Sequence, residues 1–200
     1  MAKTYHHGDL KSAAIKKAVE IIQKKGEVDF TLREIAQGLK VSHTAVYRHF
    51  ISKQDLLSHI AEEGFRAFSS QMRIEIPKAK TIRQKLRMAG KTYIEFALEN
   101  PGHYRSMFHQ ELRCASEQRH ELEVAGDEAF ASLMDLISEG MKAQIFKKDD
   151  PRTMGRFVWS SIHGFSILLL DGQFATLQNK LTLHEGIEHH LDMIERALLK

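Results

Sequence analysis

One cysteine, three prolines and one tryptophan among 200 residues exclude a good deal before any motif is sought. With Cys114 alone, no intrachain disulfide can form, and a reducing compartment fits. The lone thiol reads as a small buried or half-buried hydrophobe. No stretch approaches the ~18 apolar residues of a membrane helix, since the longest apolar run is Ile167–Leu170. No basic start leads into an apolar core, so a secretory leader is not expected and a cytoplasmic protein without a membrane partner is. Serine elbows, glycine-rich phosphate loops and paired carboxylates are missing, and with them any expectation of an enzyme. Neither charge dominates: 29 basic against 26 acidic residues leave +3, too little by itself to suggest a nucleic acid.

What is present has the helical period almost throughout. Asp9 caps a first helix running to about Lys25, with Leu10, Ala13, Ala14, Ala18, Ile21 and Ile22 on its apolar face, and Gly26 stops it. A longer helix from Ser52 to about Ile74 carries Leu56, Leu57, Ile60, Gly64, Phe65 and Phe68, and Pro77 ends it. Thr81 opens the next, which terminates at Asn100. Pro101 sits in the first turn of a short one reaching Phe108 or Leu112. A long helix is expected from about Ser116 to Ile145, another from Asp150 and Pro151 to Phe174, and a last one over Leu183–Leu198. No segment alternates like a strand or repeats. The fold class is all-α, about nine helices, with a division expected between residues 1–55 and 56–200. Charge follows that division, +4 before residue 56 and −1 after it. A basic run at Arg73, Lys78, Lys80, Arg83, Lys85, Arg87 and Lys91 reads either as a solvated helix face or as a field that attracts DNA.

Residues 31–57, TLREIAQGLKVSHTAVYRHFISKQDLL, are the most informative segment. Thr31 and Glu34 form a capping box, and Leu32, Ile35, Ala36 and Leu39 share one face of the helix that follows. Val41 plugs a tight turn, and Ser42 caps a short second helix to about Phe50. Ser52 and Asp55 repeat the capping pattern ahead of the third. A compact helix pair whose second member is polar, cationic and aromatic is the layout of a helix-turn-helix, with that second helix entering the major groove. The N-terminal hydroxyls of Thr31 and Ser42 suit phosphates, and Tyr47 and His49 can donate to phosphate oxygens. His43, Thr44 and Arg48 are placed to reach base edges. Lys53 is a cation in a first helical turn, where the dipole disfavours it, and a phosphate partner would compensate. Tyr47 packing its ring between helices, and Arg48 as a solvated charge, are the alternatives to DNA contact.

Thr31, Ile35, Ala36, Val41, Ser42, Tyr47, His49, Phe50, Lys53 and Leu56 stand at the spacing of the TetR family of bacterial transcriptional regulators, which this segment resembles. Trp159, His163 and Gly164 in VWSSIHGFSILL, with YHHGDL and NPGHYRSMF, resemble one C-terminal subclass of that family, marked by a Trp-His-Gly motif. Lys40 departs from the family at a turn position often held by Gly; a left-handed backbone there would carry about 1 kcal/mol of strain. The resemblance implies an N-terminal three-helix DNA-binding domain and a C-terminal helical domain that binds ligand and dimerises. It implies a homodimer, most often a repressor, binding a palindromic double-stranded operator and released by a small-molecule effector, here unidentified.

Phe65, Phe68, Met72, Tyr93, Phe96, Met107, Phe108, Phe130 and Met134 are the candidate lining of an effector pocket, the alternative being ordinary core. The helix from Pro151 is apolar around too much of its circumference for one buried face, so it and the last helix are expected to pair with a second copy, the alternative being a central helix of a large monomeric core. Trp159, Ile162, Phe165, Leu169, Ile187, Leu191 and Ile194 are the candidate interface. His163 reads as a satisfied core histidine or as part of pocket or interface. Twelve histidines raise the possibility of a metal-sensing regulator. Yet His6-His7 and His189-His190 are merely adjacent, and His184 with Glu188 is a single pair, so no metal or other cofactor is expected. His6-His7 is better placed to approach DNA beside the first helix. A helical adaptor that binds protein rather than DNA is the other alternative.

Overall fold

The structure, a computed structural model, describes residues 7–113, 120–174 and 182–200. Cys114, His6 and the expected helix start near Ser116 lie outside the described residues, as do the side chains of His7, Asp9 and Arg113. Nine α-helices and no strand occur among the described residues: α1 (His7–Lys25), α2 (Leu32–Gly38), α3 (His43–Tyr47), α4 (Lys53–Glu75), α5 (Ile82–Glu99), α6 (Pro101–Met107), α7 (His120–Lys142), α8 (Pro151–Leu170) and α9 (Leu183–Leu198). Short 3₁₀ turns follow α4 at Ile76–Lys78 and α6 at Gln110–Arg113. α1 already includes His7, so Asp9 lies within the helix rather than before it.

Contacts gather the chain into two compact units. One holds the residues up to Phe65 together with Asn100–Gly126; the other holds Arg66–Glu99 and Asp127–Lys200. The division expected at residues 55 and 56 falls within the first unit, in the opening turn of α4. In that unit Ala14, Ala18 and Ile22 of α1, Ile35 and Ala36 of α2, Val46, Phe50, and Leu56, Leu57 and Ile60 of α4 form one buried core. Burying each large aliphatic or aromatic side chain contributes about 1.5–3 kcal/mol. α6 lies against α1 at close range: a Cβ added to Gly102 would sit 2.8 Å from the Val19 carbonyl oxygen.

In the second unit α5 packs on α8 and α9. Gly90 lets α9 close on α5, for a Cβ there would meet Leu191 at 2.5 Å. Gly155 does the same for α8, facing Met134 and Ile137 of α7. α8 starts as expected, Asp150 accepting from the Thr153 amide at 2.8 Å with Pro151 in the first turn. It stops at Leu170, four residues short of Phe174, because Gly172 turns left-handed at φ +67. One face, Met154, Val158, Ile162 and Ser166, is buried in its own unit, while Phe157 and Leu168 are exposed.

Candidate nucleic-acid interface

The candidate interface is built from local sequence. Thr31 Oγ1 accepts from the Glu34 amide at 3.1 Å and Glu34 Oε2 accepts from the Thr31 amide at 2.7 Å, so both halves of the capping box are made. The Thr31 hydrogen bonds hold the Glu34 carboxyl below the usual carboxylate range. α2 ends where Lys40 turns left-handed at φ +57 and the Val41 amide reaches back to the Ala36 carbonyl at 3.0 Å. Ser42 Oγ then accepts from the Ala45 amide at 3.2 Å, opening α3. The helix ends at Tyr47 rather than near Phe50; Val46 within it and Phe50 just beyond it are both fully buried and set how it sits on the core. His43, Thr44, Tyr47 and Arg48 are thereby left outside, and Tyr47, 54% exposed, does not pack between helices. His49 and Ala45 are half-buried. Ser52 Oγ caps α4 by accepting from the Asp55 amide at 3.1 Å, while Asp55 takes the Ile51 amide at 2.9 Å.

Lys53 differs from the expectation. What compensates its place at the start of α4 is a carboxylate of the same chain: its ammonium donates to Glu111 Oε1 at 2.9 Å and to the Val28 carbonyl at 3.3 Å. It also stands 5.6 Å from the centre of the Phe30 ring. No local pattern points to Glu111, 58 residues further on. The basic run is likewise largely paired. Lys78 meets Glu75, Lys85 meets Glu139, Lys91 meets Glu95, Arg83 meets Glu195, and Arg87 meets Glu188, Asp192 and Glu195.

The candidate pocket residues divide between the two units. Phe65, Met107 and Phe108 belong to the first, where the Phe65 and Phe108 rings meet edge-on at 5.5 Å. Phe68, Met72, Tyr93, Phe96, Phe130 and Met134 belong to the second. There Phe68 meets Tyr93 and Phe96 edge-on, both at 5.3 Å. A polar chain runs alongside: Trp159 Nε1 donates to the Tyr93 hydroxyl at 3.3 Å, which is 3.0 Å from His163 Nδ1. Burial pushes the His163 ring below its ordinary pKa, towards the neutral form. A separate cleft of about 530 Å³ lies beside the start of α5, over Ala79, Met88 and Leu191. Among the described residues no group of three or more His, Cys, Asp or Glu is arranged to hold an ion.

Family models match both parts of the chain. One, described as bacterial regulatory proteins of the tetR family, covers residues 14–60 and so the whole helix-turn-helix. Another, described as a tetracyclin repressor-like C-terminal domain, covers residues 86–194, more than half the chain. The chain belongs to the TetR family. The uncharacterized HTH-type transcriptional regulator YobS of Bacillus subtilis (strain 168) is 26% identical to it over 157 residues, 78% of this chain and 77% of YobS. A Rhodococcus sp. RHA1 protein of unknown function has the same fold at a TM-score of 0.81, with 22% identity over 100% of both chains. A bacterial regulatory protein in the tetR family, also from Rhodococcus RHA1, follows at 0.71, with 19% identity over 94% of this chain and 96% of that one. As a TetR-family member the chain is a DNA-binding transcriptional regulator, whose helix-turn-helix is α2 and α3.

Three of the residues expected to face a second copy are buried within their own chain. Ile162, Leu191 and Ile194 are each 4% exposed, because α5, α8 and α9 close over Gly90. Trp159, Phe165, Leu169 and Ile187 keep part of their surface. Phe165 stacks on the His190 ring at 4.2 Å. Phe157 and Leu168, which the periodicity did not single out, are more exposed than any of these four.

Proposed function

We propose that this regulator binds a palindromic operator as a homodimer, represses transcription from it, and is released by a small molecule held in its C-terminal part. The single observation that carries the reading is the outer face of α3 and its C-cap, where His43, Thr44, Tyr47 and Arg48 are displayed while Val46 and Phe50 are buried. In this reading His43, Thr44 and Arg48 meet base edges, and Thr31, Ser42, Tyr47, His49 and Lys53 meet phosphates. α3 has five residues, about 7.5 Å of helix. One such helix spans only a few base pairs, so useful specificity calls for a second copy on a symmetric half-site. The exposed Phe157 and Leu168 on α8, with Trp159, Phe165, Leu169 and Ile187, supply apolar surface for that copy. The site of action would be the cytoplasm, on DNA.

Release requires an effector that prefers a geometry unable to bind the operator, and its differential affinity caps the effect. Phe68, Phe96, Phe130, Met72 and Met134, with the Tyr93–His163–Trp159 chain, offer apolar walls and a few hydrogen-bonding groups for it. Binding of the purified protein to DNA upstream of its own gene, measured by anisotropy with competitor DNA and a salt series, tests the reading. Specific, salt-sensitive binding by a dimer is expected, lost in Tyr47→Ala with thermal stability unchanged within about 0.5 kcal/mol, as for an exposed residue. Undiminished operator binding by Tyr47→Ala would remove α3 as the reading element.

A further inference from the structure

Lys53 has an ammonium with three donors and no acceptor. Glu111 Oε1 takes one at 2.9 Å and the Val28 carbonyl a second at 3.3 Å, leaving one for any phosphate. Glu111 comes from the 3₁₀ turn after α6, in the same compact unit as Lys53. It is satisfied on one side only, since its Oε2 is buried with no hydrogen-bond partner. The two side chains are 26% and 31% exposed, so the pair is within reach of a molecule at the surface. A cation already neutralised by a carboxylate attracts a phosphate far less than a bare one, and the carboxylate itself repels it.

We propose that Glu111 is an internal stand-in for phosphate: by neutralising Lys53 it sets how strongly the protein holds DNA. This rests on the DNA-binding reading above, and on Lys53 facing the backbone of the duplex. Glu111 touches no base in this scheme; it acts through Lys53, and its influence is therefore the same on every sequence. A rearrangement of the turn Gln110–Arg113 then changes the positive charge presented at the start of α4 without moving α3.

The test uses the full chain and a short random-sequence duplex, so no operator need be known. Affinities are measured by anisotropy between roughly 50 and 200 mM salt, with thermal melts of each variant. Glu111→Gln is expected to bind about three- to tenfold more tightly, with a salt slope steeper by about 0.9, one further counterion released. Glu111→Ala should do the same, and the gain should vanish when Lys53→Met is added. Wild-type affinity and slope in both Glu111 variants, weaker binding, or a gain that persists with Lys53→Met would overturn the proposal while duplex binding by the wild type upholds the DNA-binding reading. Failure of both Glu111 variants to fold would make the pair structural and overturn it too. Absence of duplex binding by the wild type at every salt would remove the DNA-binding reading, and the proposal with it.

Discussion

Lys40 turns the chain left-handed between α2 and α3 at φ +57, where its Cβ crowds the following carbonyl. Glycine takes that conformation without the clash, at some entropic cost in the unfolded chain. Lys40→Gly is therefore expected to stabilise the protein by about 0.5–1 kcal/mol. Urea denaturation would register this as a higher midpoint at unchanged slope; a lower midpoint would mean the lysine side chain contributes more than the strain costs. At this scale most of the interface was legible, because its partners are close in sequence. Thr31 with Glu34, Ser42 with Ala45 and Ser52 with Asp55 are each three residues apart, a distance that one helical turn closes. The Glu111 partner of Lys53 was not legible for the opposite reason: the unfavourable dipole position is compensated equally well by a phosphate or a carboxylate, and only folding brings Glu111 to it.

Among the elements, α9 is held to α5 by an ion cluster that periodicity does not show. Arg87 pairs with Glu188, Asp192 and Glu195, and Arg83 adds a second contact to Glu195, whose side chain is 7% exposed. Removing Arg87 takes the shared cation from Glu188, Asp192 and Glu195 and leaves the nearly buried Glu195 with Arg83 alone, whereas removing the more exposed Arg83 breaks one contact and leaves Glu195 with Arg87. Arg87→Ala is expected to destabilise by about 1–3 kcal/mol, discounted from the fully buried case for the solvent Arg87 retains. Arg83→Ala should cost less than about 1 kcal/mol. Equilibrium denaturation of the two variants compares them directly, and equal losses would argue against Arg87 as the hub. The helix ends tell a similar story of local against distant causes. α9 spans Leu183–Leu198 as expected, opened by a Thr182–Glu185 capping box that the sequence reading did not name, and α8 begins at Asp150 and Pro151. α8 ends early at Gly172, since apolar periodicity runs on past the point where the backbone turns.

For the molecule as a whole, the buried histidines and the capping carboxylates determine how stability follows pH. Burial holds His103, His163 and His190 below the ordinary imidazole value of 6.5. The folded chain then binds fewer protons than the unfolded one once pH falls through 6.5, so stability declines from there downward. Glu34 and Glu185, lowered by their Thr31 and Thr182 hydrogen bonds, and Asp150, lowered by Thr153, add a second decline below the ordinary glutamate value of 4.5. Glu63, raised by burial, opposes this in part. Melting temperatures measured from pH 8 to pH 3 should fall first below 6.5 and again below 4.5; a flat profile across the histidine range would mean those rings are not buried neutral in solution. The proposed homodimer distinguishes the two faces of α8. In it, Leu168→Glu, at an exposed position, is expected to yield a folded monomer by sedimentation, while Ile162→Glu, in the core, should unfold the protein. A Leu168→Glu dimer as tight as the wild type would place the interface elsewhere.

Helical class, the order of the helices, their caps and the identity of the helix-turn-helix all follow from contacts within a turn or two, and the sequence alone determined them. Tertiary structure decided what depends on elements far apart in the chain. It assigned Asn100–Gly126 to the unit that carries α2 and α3, made Ile162, Leu191 and Ile194 core rather than interface, and gave Lys53 a carboxylate. The physical reason is that an apolar or charged side chain records only that it needs a partner. Which partner it finds is set by packing across segments whose separation in sequence carries no signal of their proximity in space.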